Sequence, residues 1–182
     1  MNITALSIQD VLVIEPKIFK DERGFFFESF NQKSFYNATN LSPLFVQENH
    51  SRSSKGVLRG LHFQLAPAAQ DKLIRVVQGE VFDVAVDIRL DSPTFGKWVS
   101  QILSDNNKKQ LWIPKGFAHG FFVISETADL VYKTTAFYNQ KNERCICWND
   151  PELHIEWPLS RLNPIISSKD KQGLSLNKVD LI

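Results

Sequence analysis

The strongest constraint on this chain is the spacing of its apolar residues, which repeat every second position over most of the sequence. In residues 81–89 (VFDVAVDIR), large apolar side chains alternate with smaller or charged ones, and Asp83 and Asp87 lie on the second face. Successive side chains of a β-strand point to opposite faces. The alternation therefore predicts a strand with one buried face.

Similar runs recur along the chain and are separated by turn-forming residues such as Asp-Ser-Pro at 91–93 and Pro-Lys-Gly at 114–116. They lie at residues 11–14, 24–30, 45–49, 57–64, 72–78, 98–103, 110–113, 120–124, 130–138 and 145–148. About ten short strands with little helical periodicity between them predict an antiparallel sandwich or barrel.

Few segments have a helical pattern. We expect one helix at residues 32–38, capped by Asn31, and a short turn at 158–162. The polar tail from Ser167 is expected to pack weakly.

Length and charge restrict the organisation and the partners. At 182 residues the chain is expected to form a single domain over residues 1–182. It has 21 basic and 20 acidic residues, which argues against nucleic acid or an anionic membrane as a partner because both require a dominant basic field. No apolar run approaches bilayer length and the first ten residues lack a signal-peptide pattern, so we expect a cytoplasmic protein.

The two cysteines, Cys145 and Cys147, lie two residues apart in a predicted strand. Residues i and i+2 of a strand point the same way at roughly 6.5–7 Å, which is at or beyond the reach of a disulfide. We expect both thiols to be reduced.

Residues 110–120 (QLWIPKGFAHG) place His119 three residues after a Pro-x-Gly turn, at the start of a strand. This pattern resembles the second motif of cupins, which are double-stranded jelly-roll barrels with the active site in the barrel mouth. The resemblance implies an all-β jelly roll with short peripheral helices.

The first cupin motif is altered at the positions that bind metal in metal-dependent cupins, where it has His-x-His and then Glu six residues before Gly. Here the matching residues are His62, Gln64 and Lys72, followed by Gly79. An ammonium group at a ligand position repels a cation, so we expect no metal. Lys72 instead supplies a positive charge that can stabilise a developing oxyanion.

More specific matches extend from about residue 8 to Asp170. They lie at residues 19–28, 45–51, 56–64, 79–89, 93–96, 111–120, 131–135 and 148–150. Together they resemble the dTDP-4-dehydrorhamnose 3,5-epimerase family. The resemblance implies inversion of C3 and C5 of dTDP-4-dehydro-6-deoxy-D-glucose through C4 enolates in dTDP-L-rhamnose synthesis, without a cofactor.

The resemblance also implies roles for individual residues. His62 is expected to be the base, with Asp170 orienting its ring, while Tyr132 is the acid on the opposite face of the sugar and Lys72 holds the enolate oxygen. Tyr138 is expected to stack on thymine. Strand parity places it on the same strand face as Tyr132, roughly 20 Å away.

A further set of polar residues is expected to contact the substrate. It comprises Arg23, Glu28, Gln47, Glu48, Asn49, Arg59, His119, Glu143 and Lys169. Arg is suited to phosphate because its planar guanidinium matches two oxygens. Asp83 is expected to orient His62 or Lys72.

The resemblance implies a homodimer that exchanges N-terminal edge strands and shares its sites across the interface. Alternatives remain open at this point. The chain could be a relative that inverts only C3 or moves the ketone, a metal-dependent cupin oxygenase, or a non-catalytic sugar-nucleotide binder.

Overall fold

The computed structural model describes residues 1–159 and 163–181, and two antiparallel sheets dominate these residues. The strands are β1 (Asn2–Ala5), β2 (Leu12–Glu15), β3 (Phe19–Asp21), β4 (Gly24–Phe26), β5 (Gln47–Ser54), β6 (Leu58–Gln64), β7 (Lys72–Gln78), β8 (Glu80–Asp87), β9 (Trp98–Ser104), β10 (Gln110–Ile113), β11 (Phe117–Val123), β12 (Thr127–Thr134) and β13 (Glu143–Cys145). The first sheet has the order β1-β2-β10-β7-β12-β5 and the second has the order β13-β6-β11-β8-β9. A separate hairpin pairs β3 with β4.

One helix, α1 (Gln32–Thr39), follows the hairpin. The side-chain oxygen of Asn31 accepts a hydrogen bond from the Ser34 N–H at 3.0 Å, which confirms the predicted N-cap. Phe35 is the buried residue of this helix, and it packs with Trp112 against the outer face of the first sheet. The helix thus covers one side of the molecule.

The main core lies between the two sheets. Apolar residues from both sheets form one buried cluster, including Ile74 and Leu130 from the first sheet and Ala85 and Leu103 from the second. The apolar side chains on the inner faces of both sheets are removed from water, and this burial is the main stabilising contribution to the fold. The polar pocket described below lies between the same two faces.

A second core forms on the outer face of the second sheet, where the C-terminal segment packs. Leu153, Trp157, Leu176 and Val179 are buried there against strand residues such as Val86. The expectation of a weakly packed tail is therefore wrong, because apolar residues spaced between polar ones anchor it. Of the turn expected at 158–162, residues 160–162 lie outside the described residues.

The same packing corrects the interpretation of β8. Its alternate residues Val84 and Val86 face the outer core, whereas Asp83 and Asp87 face inward and are fully buried. The strand is buried on both faces rather than one.

Among the described residues, no helix is long and apolar enough to cross a membrane.

Candidate functional site

A polar cavity of about 280 Å³ lies between the inner faces of the two sheets. Nine of the predicted site residues line it: Gln47, Asn49, Arg59, His62, Lys72, His119, Tyr132, Tyr138 and Glu143. They come from six strands and one loop, spread over nearly 100 residues of the sequence. The fold therefore concentrates most of the predicted site in one place.

His62 and Asp170 form a close pair at one wall of the cavity. The His62 Nε2 lies 2.8 Å from the Asp170 Oδ1, and the Gly60 N–H donates to the other carboxylate oxygen at 3.3 Å. Burial would raise the pKa of Asp170, but the hydrogen bond and charge of His62, together with the Gly60 N–H and Ser167, outweigh it and lower the pKa. A carboxylate can only accept, so the proton of His62 lies on Nε2 and its Nδ1 is free to act as a base.

Asp170 lies in a short 3₁₀ turn, Asp170–Gln172, within the tail. The tail returns to the barrel because Val57 pairs with Ile165 and Ile146 pairs with Leu174 in isolated bridges. These contacts position the carboxylate behind the imidazole although 108 residues separate the two in sequence. Asp170 is only 3% exposed.

Tyr132 lies on β12 of the first sheet, whereas His62 lies on β6 of the second. The two side chains therefore approach the cavity from opposite sheets. Burial raises the pKa of Tyr132, with Glu143 adding to the effect and Arg59 opposing it. The phenol is consequently protonated at neutral pH and available as a proton donor.

Lys72 begins β7, and its Nζ lies 3.4 Å from the His62 carbonyl oxygen. The residue is 8% exposed. Burial lowers its pKa to about 8, although the carboxylates of Asp83 and Glu143 act in the opposite direction. At neutral pH the Lys72 amine is still mostly protonated. In a cavity of low dielectric, this ammonium interacts strongly with any negative charge that develops nearby.

His119 is the hydrogen-bond partner of Asp83, which was expected to orient His62 or Lys72; toward Lys72, Asp83 acts through its charge. The His119 Nε2 lies 2.9 and 3.0 Å from the two oxygens of the Asp83 carboxylate. Burial lowers the pKa of His119 despite this partner, and the charge of Lys72 lowers it further. The ring is therefore neutral, and its orientation is fixed by the buried carboxylate.

Tyr138 lies in the loop after β12 rather than on the strand, because the strand ends at Thr134. The expected separation of about 20 Å from Tyr132 along one strand is wrong, and both residues line the same cavity. The Tyr138 hydroxyl donates to Glu143 Oε2 at 2.7 Å, and the Lys169 ammonium donates to the same oxygen. Lys169 therefore joins the rim of the site through Glu143.

Five predicted residues do not line the cavity. Asp170 and Lys169 contact lining residues, His62 and Glu143 respectively, whereas Arg23, Glu28 and Glu48 lie elsewhere. Arg23 is exposed at the β3–β4 turn and pairs with Asp21. Glu28 accepts a hydrogen bond from Asn31 at 3.0 Å. Glu48 points to the opposite face of β5 from Gln47 and Asn49, and it pairs with Lys133 at 2.8 Å.

A close approach of two backbones fixes the floor of the site. Gly60 has φ of +105°, and a Cβ there would lie 2.5 Å from the His119 carbonyl oxygen. A Cβ on Gly120 would lie 2.7 Å from the Arg59 carbonyl oxygen. The absence of both side chains lets β6 and β11 approach, with His62 paired opposite His119.

Sequence reasoning missed several cavity residues. Ser51, Gln70 and Phe121 line the cavity but carry no motif that distinguishes them from ordinary strand or loop residues. Ser51 shares a strand face with Gln47 and Asn49, and this parity is the one signal that could have indicated it.

The cupin metal positions are adapted to other contacts. The Gln64 amide donates to the Ala68 carbonyl at 2.7 Å and accepts from the Asn139 N–H at 2.7 Å, so both of its ends are engaged. Lys72 occupies the carboxylate position. A different group of three potential ligand atoms occurs at His62, Cys145 and Asp170, where they all lie within 4.8 Å of one another.

Comparison with known proteins identifies the family. The model of the dTDP-4-dehydrorhamnose 3,5-epimerase family matches residues 5–178. The chain belongs to this family. Its activity is accordingly that of an epimerase, an isomerase of dTDP-rhamnose biosynthesis.

Two relatives show how strong the match is. The dTDP-4-dehydrorhamnose 3,5-epimerase of Shigella flexneri is 61% identical over 173 residues, covering 95% of this chain and 94% of that protein. The enzyme of the same name from Pseudomonas aeruginosa is 57% identical over 180 residues, covering 99% and 98%. Both carry the 3,5-epimerase name, which favours the predicted activity over the alternatives considered from sequence.

A solved structure confirms the predicted fold. The epimerase RmlC from Legionella pneumophila, in complex with dTDP-4-keto-L-rhamnose, superposes with a TM-score of 0.95 at 54% identity. The match covers 98% of this chain and 94% of that one. The chain therefore has the cupin jelly-roll fold of this family.

Proposed function

We propose that the cavity binds dTDP-4-dehydro-6-deoxy-D-glucose and inverts C3 and C5 by proton transfer, with His62 as base and Tyr132 as acid. The observation that carries this assignment is their position on opposite sheets of one cavity. Inversion requires that a proton leave one face of the sugar ring and return to the other. Two groups on opposite walls meet that requirement.

The chemistry of the substrate explains the rest of the constellation. Both C3 and C5 flank the C4 ketone, so removing a proton from either moves an electron pair onto the ketone oxygen and forms an enolate. His62 Nδ1 accepts the proton and Asp170 stabilises the resulting imidazolium. The Lys72 ammonium stabilises the enolate oxygen, and the Tyr132 hydroxyl returns a proton to carbon from the other face.

The nucleotide is expected to occupy the polar side of the cavity and its rim. The Legionella relative was solved with a dTDP-sugar, which supports binding of the same ligand class here. Arg59 has a guanidinium suited to the diphosphate. The exposed ring of Tyr138 can stack on thymine, and the amides of Gln47 and Asn49 offer hydrogen bonds to the base.

We also propose that the active form is a homodimer in which Arg23 and Glu28 reach the partner's site. The β3–β4 hairpin presents Phe25 and Phe26, which are 56% and 69% exposed, and Arg23 lies at its turn. Adjacent exposed aromatic residues of this kind mark an interaction surface.

The cytoplasm is the compartment we propose, since Cys145 and Cys147 are both free.

Deuterium exchange tests the catalytic assignment. The substrate is incubated in heavy water with wild-type enzyme, His62→Ala, Tyr132→Phe and the control His50→Ala, whose imidazole lies outside the cavity beside Asp129. NMR then reports deuterium and configuration at C3 and C5. We expect His62→Ala to lose exchange, Tyr132→Phe to keep exchange but lose inversion, and His50→Ala to match wild type.

Specific outcomes would contradict the assignment. Undiminished deuterium incorporation in His62→Ala would exclude it as the base, and full inversion by Tyr132→Phe would exclude it as the acid. Exchange confined to C3 in the wild-type enzyme would identify a single-site epimerase instead.

Sedimentation velocity tests the dimer. We expect the wild-type protein to sediment as a dimer and Phe26→Asp to shift toward monomer, because a carboxylate in an apolar interface is left unsolvated. Glu22→Gln, in the same hairpin turn, is the control. A wild-type monomer that is fully active would refute the shared site.

A further inference from the structure

The side chains of His62, Cys145 and Asp170 form a compact group of nitrogen, sulfur and oxygen ligand atoms within 4.8 Å of one another. Strand pairing creates it: β13 lies antiparallel to β6, and the register places Cys145 directly opposite His62. Asp170 completes the group from the 3₁₀ turn of the tail. Three separate elements therefore converge on one point.

We propose that this group is an inhibitory site for a thiophilic divalent cation such as Zn²⁺. Zinc takes imidazole nitrogen, thiolate sulfur and carboxylate oxygen at about 2.0–2.3 Å in tetrahedral geometry. Ligand atoms around such an ion are separated by less than 4.8 Å, so small side-chain rotations suffice. The fourth position would hold water.

The ion would lie behind the catalytic imidazole rather than in the substrate cavity. His62 lines the cavity, whereas Cys145 and Asp170 do not. The His62 Nε2 and the Asp170 Oδ1 are 2.8 Å apart, and the ion takes the place of the proton between them. Binding releases this proton and the thiol proton to solvent.

Inhibition follows from the loss of that proton and of the free carboxylate. With Nε2 bound to a cation, His62 Nδ1 becomes a weaker base, and Asp170 no longer stabilises an imidazolium. The cavity itself stays open. The cation is therefore expected to lower kcat and leave KM for the nucleotide sugar unchanged.

The surrounding charges permit a cation. The Lys72 Nζ lies 3.4 Å from the His62 carbonyl oxygen and interacts with the carboxylates of Asp83 and Glu143, and the Lys169 ammonium donates to Glu143. The site is also reachable, because 29% of the His62 side chain is exposed.

Cobalt absorption and zinc inhibition test the proposal together. Co²⁺ added to wild-type enzyme is expected to give the sulfur-to-cobalt charge-transfer band at one ion per chain, and Cys145→Ser is expected to lack it. Cys147→Ser is the matched control, since its thiol lies two residues away and donates to Asn149. This readout requires no catalysis and is independent of the assigned reaction.

For activity, each variant is compared with its own metal-free rate. We expect Zn²⁺ to lower kcat of wild type and Cys147→Ser reversibly, with activity restored by EDTA. The inhibitory concentration should rise by at least about tenfold in Cys145→Ser. Absence of the cobalt band in wild type, equal Zn²⁺ sensitivity of Cys145→Ser, or a change in KM alone would overturn the proposal.

Discussion

Lys72 carries a positive charge that the fold removes almost completely from solvent. Its pKa falls from 10.5 to about 8, mainly through burial. This corresponds to about 3 kcal/mol of destabilisation of the ammonium relative to an exposed lysine. Because the folded-state pKa is depressed, the cost is fully present below about pH 8. This cost supports the catalytic role that we propose for Lys72.

Replacing Lys72 with Met should therefore separate stability from activity. We expect Lys72→Met to raise the thermal unfolding temperature, since an apolar chain of similar length fits the buried site without a charge. Its kcat should fall by about 10²–10³-fold because the enolate loses its counter-charge. Calorimetry and steady-state kinetics measure the two effects, with Lys133→Met on the outer face of the same sheet as control. A lowered unfolding temperature for Lys72→Met would contradict the prediction.

At this scale, the sequence predicted most site residues, and the family resemblance predicted the pair of His62 and Asp170, but the pair of His119 and Asp83 was not predicted. His62, Lys72, His119 and Tyr132 were recognisable, and all four line the cavity. The partner of Asp83 was not, because it depends on how β8 pairs with β11, a register between segments more than 30 residues apart. Pairing of this kind is set by packing and cannot be read from local spacing.

At the scale of elements, the tail is the part whose packing most affects the site. It covers the second sheet with Leu176 and Val179 and delivers Asp170 to His62. The Leu176 N–H also donates to the buried Asp150 carboxylate at 2.6 Å. A segment that is polar on average is thus held by a few apolar anchors.

Truncation of one anchor tests this. Leu176 is 4% exposed and Leu174 is 49% exposed, so the two leucines form a matched pair in one segment. We expect Leu176→Ala to lower the free energy of unfolding by about 2–5 kcal/mol through lost burial and a cavity. Leu174→Ala should cost much less. Urea denaturation measures both, and equal losses would show that the tail is not anchored as described.

The apolar alternation located most strands, but it did not define where several of them end. The runs at 72–78 and 110–113 match β7 and β10 in both bounds. The run at 130–138 was too long, because Thr134 ends the strand with its hydroxyl donating to the Ala136 carbonyl at 3.0 Å. The position of Tyr138 depends on where β12 ends, and the local pattern of apolar residues does not define that end.

At the scale of the whole molecule, the buried carboxylate of Asp87 makes stability depend on pH in acid. Asp87 is 0% exposed and accepts hydrogen bonds from Arg89, Ser92 and Thr94. Burial would raise its pKa, but these bonds outweigh it and lower the pKa to about 2. Arg89 continues the network to Asp10 at 3.0 Å, which ties the N-terminal segment to the loop after β8.

The depressed pKa of Asp87 sets a pH window for stability. Its contribution is present above about pH 4 and is lost as pH falls through about 2, because the neutral acid forfeits its charged partner. We expect the free energy of unfolding to fall by about 2 kcal/mol across this window. Asp87→Asn should be less stable at neutral pH and show a flatter decline. Denaturant titrations at several pH values measure this, and parallel slopes for both proteins would refute it.

The contact between Gly60 and Gly120 limits how this enzyme can be altered. Any side chain at either position would push apart the strands that carry His62 and His119, so substrate range cannot be broadened by enlarging the pocket there. Directed-evolution libraries should leave both glycines untouched and vary Ser51 and Gln70, whose side chains line the cavity on other elements. Substitutions that adapt the enzyme to new sugars are therefore expected in the walls of the barrel, while the distance between His62 and His119 stays the same.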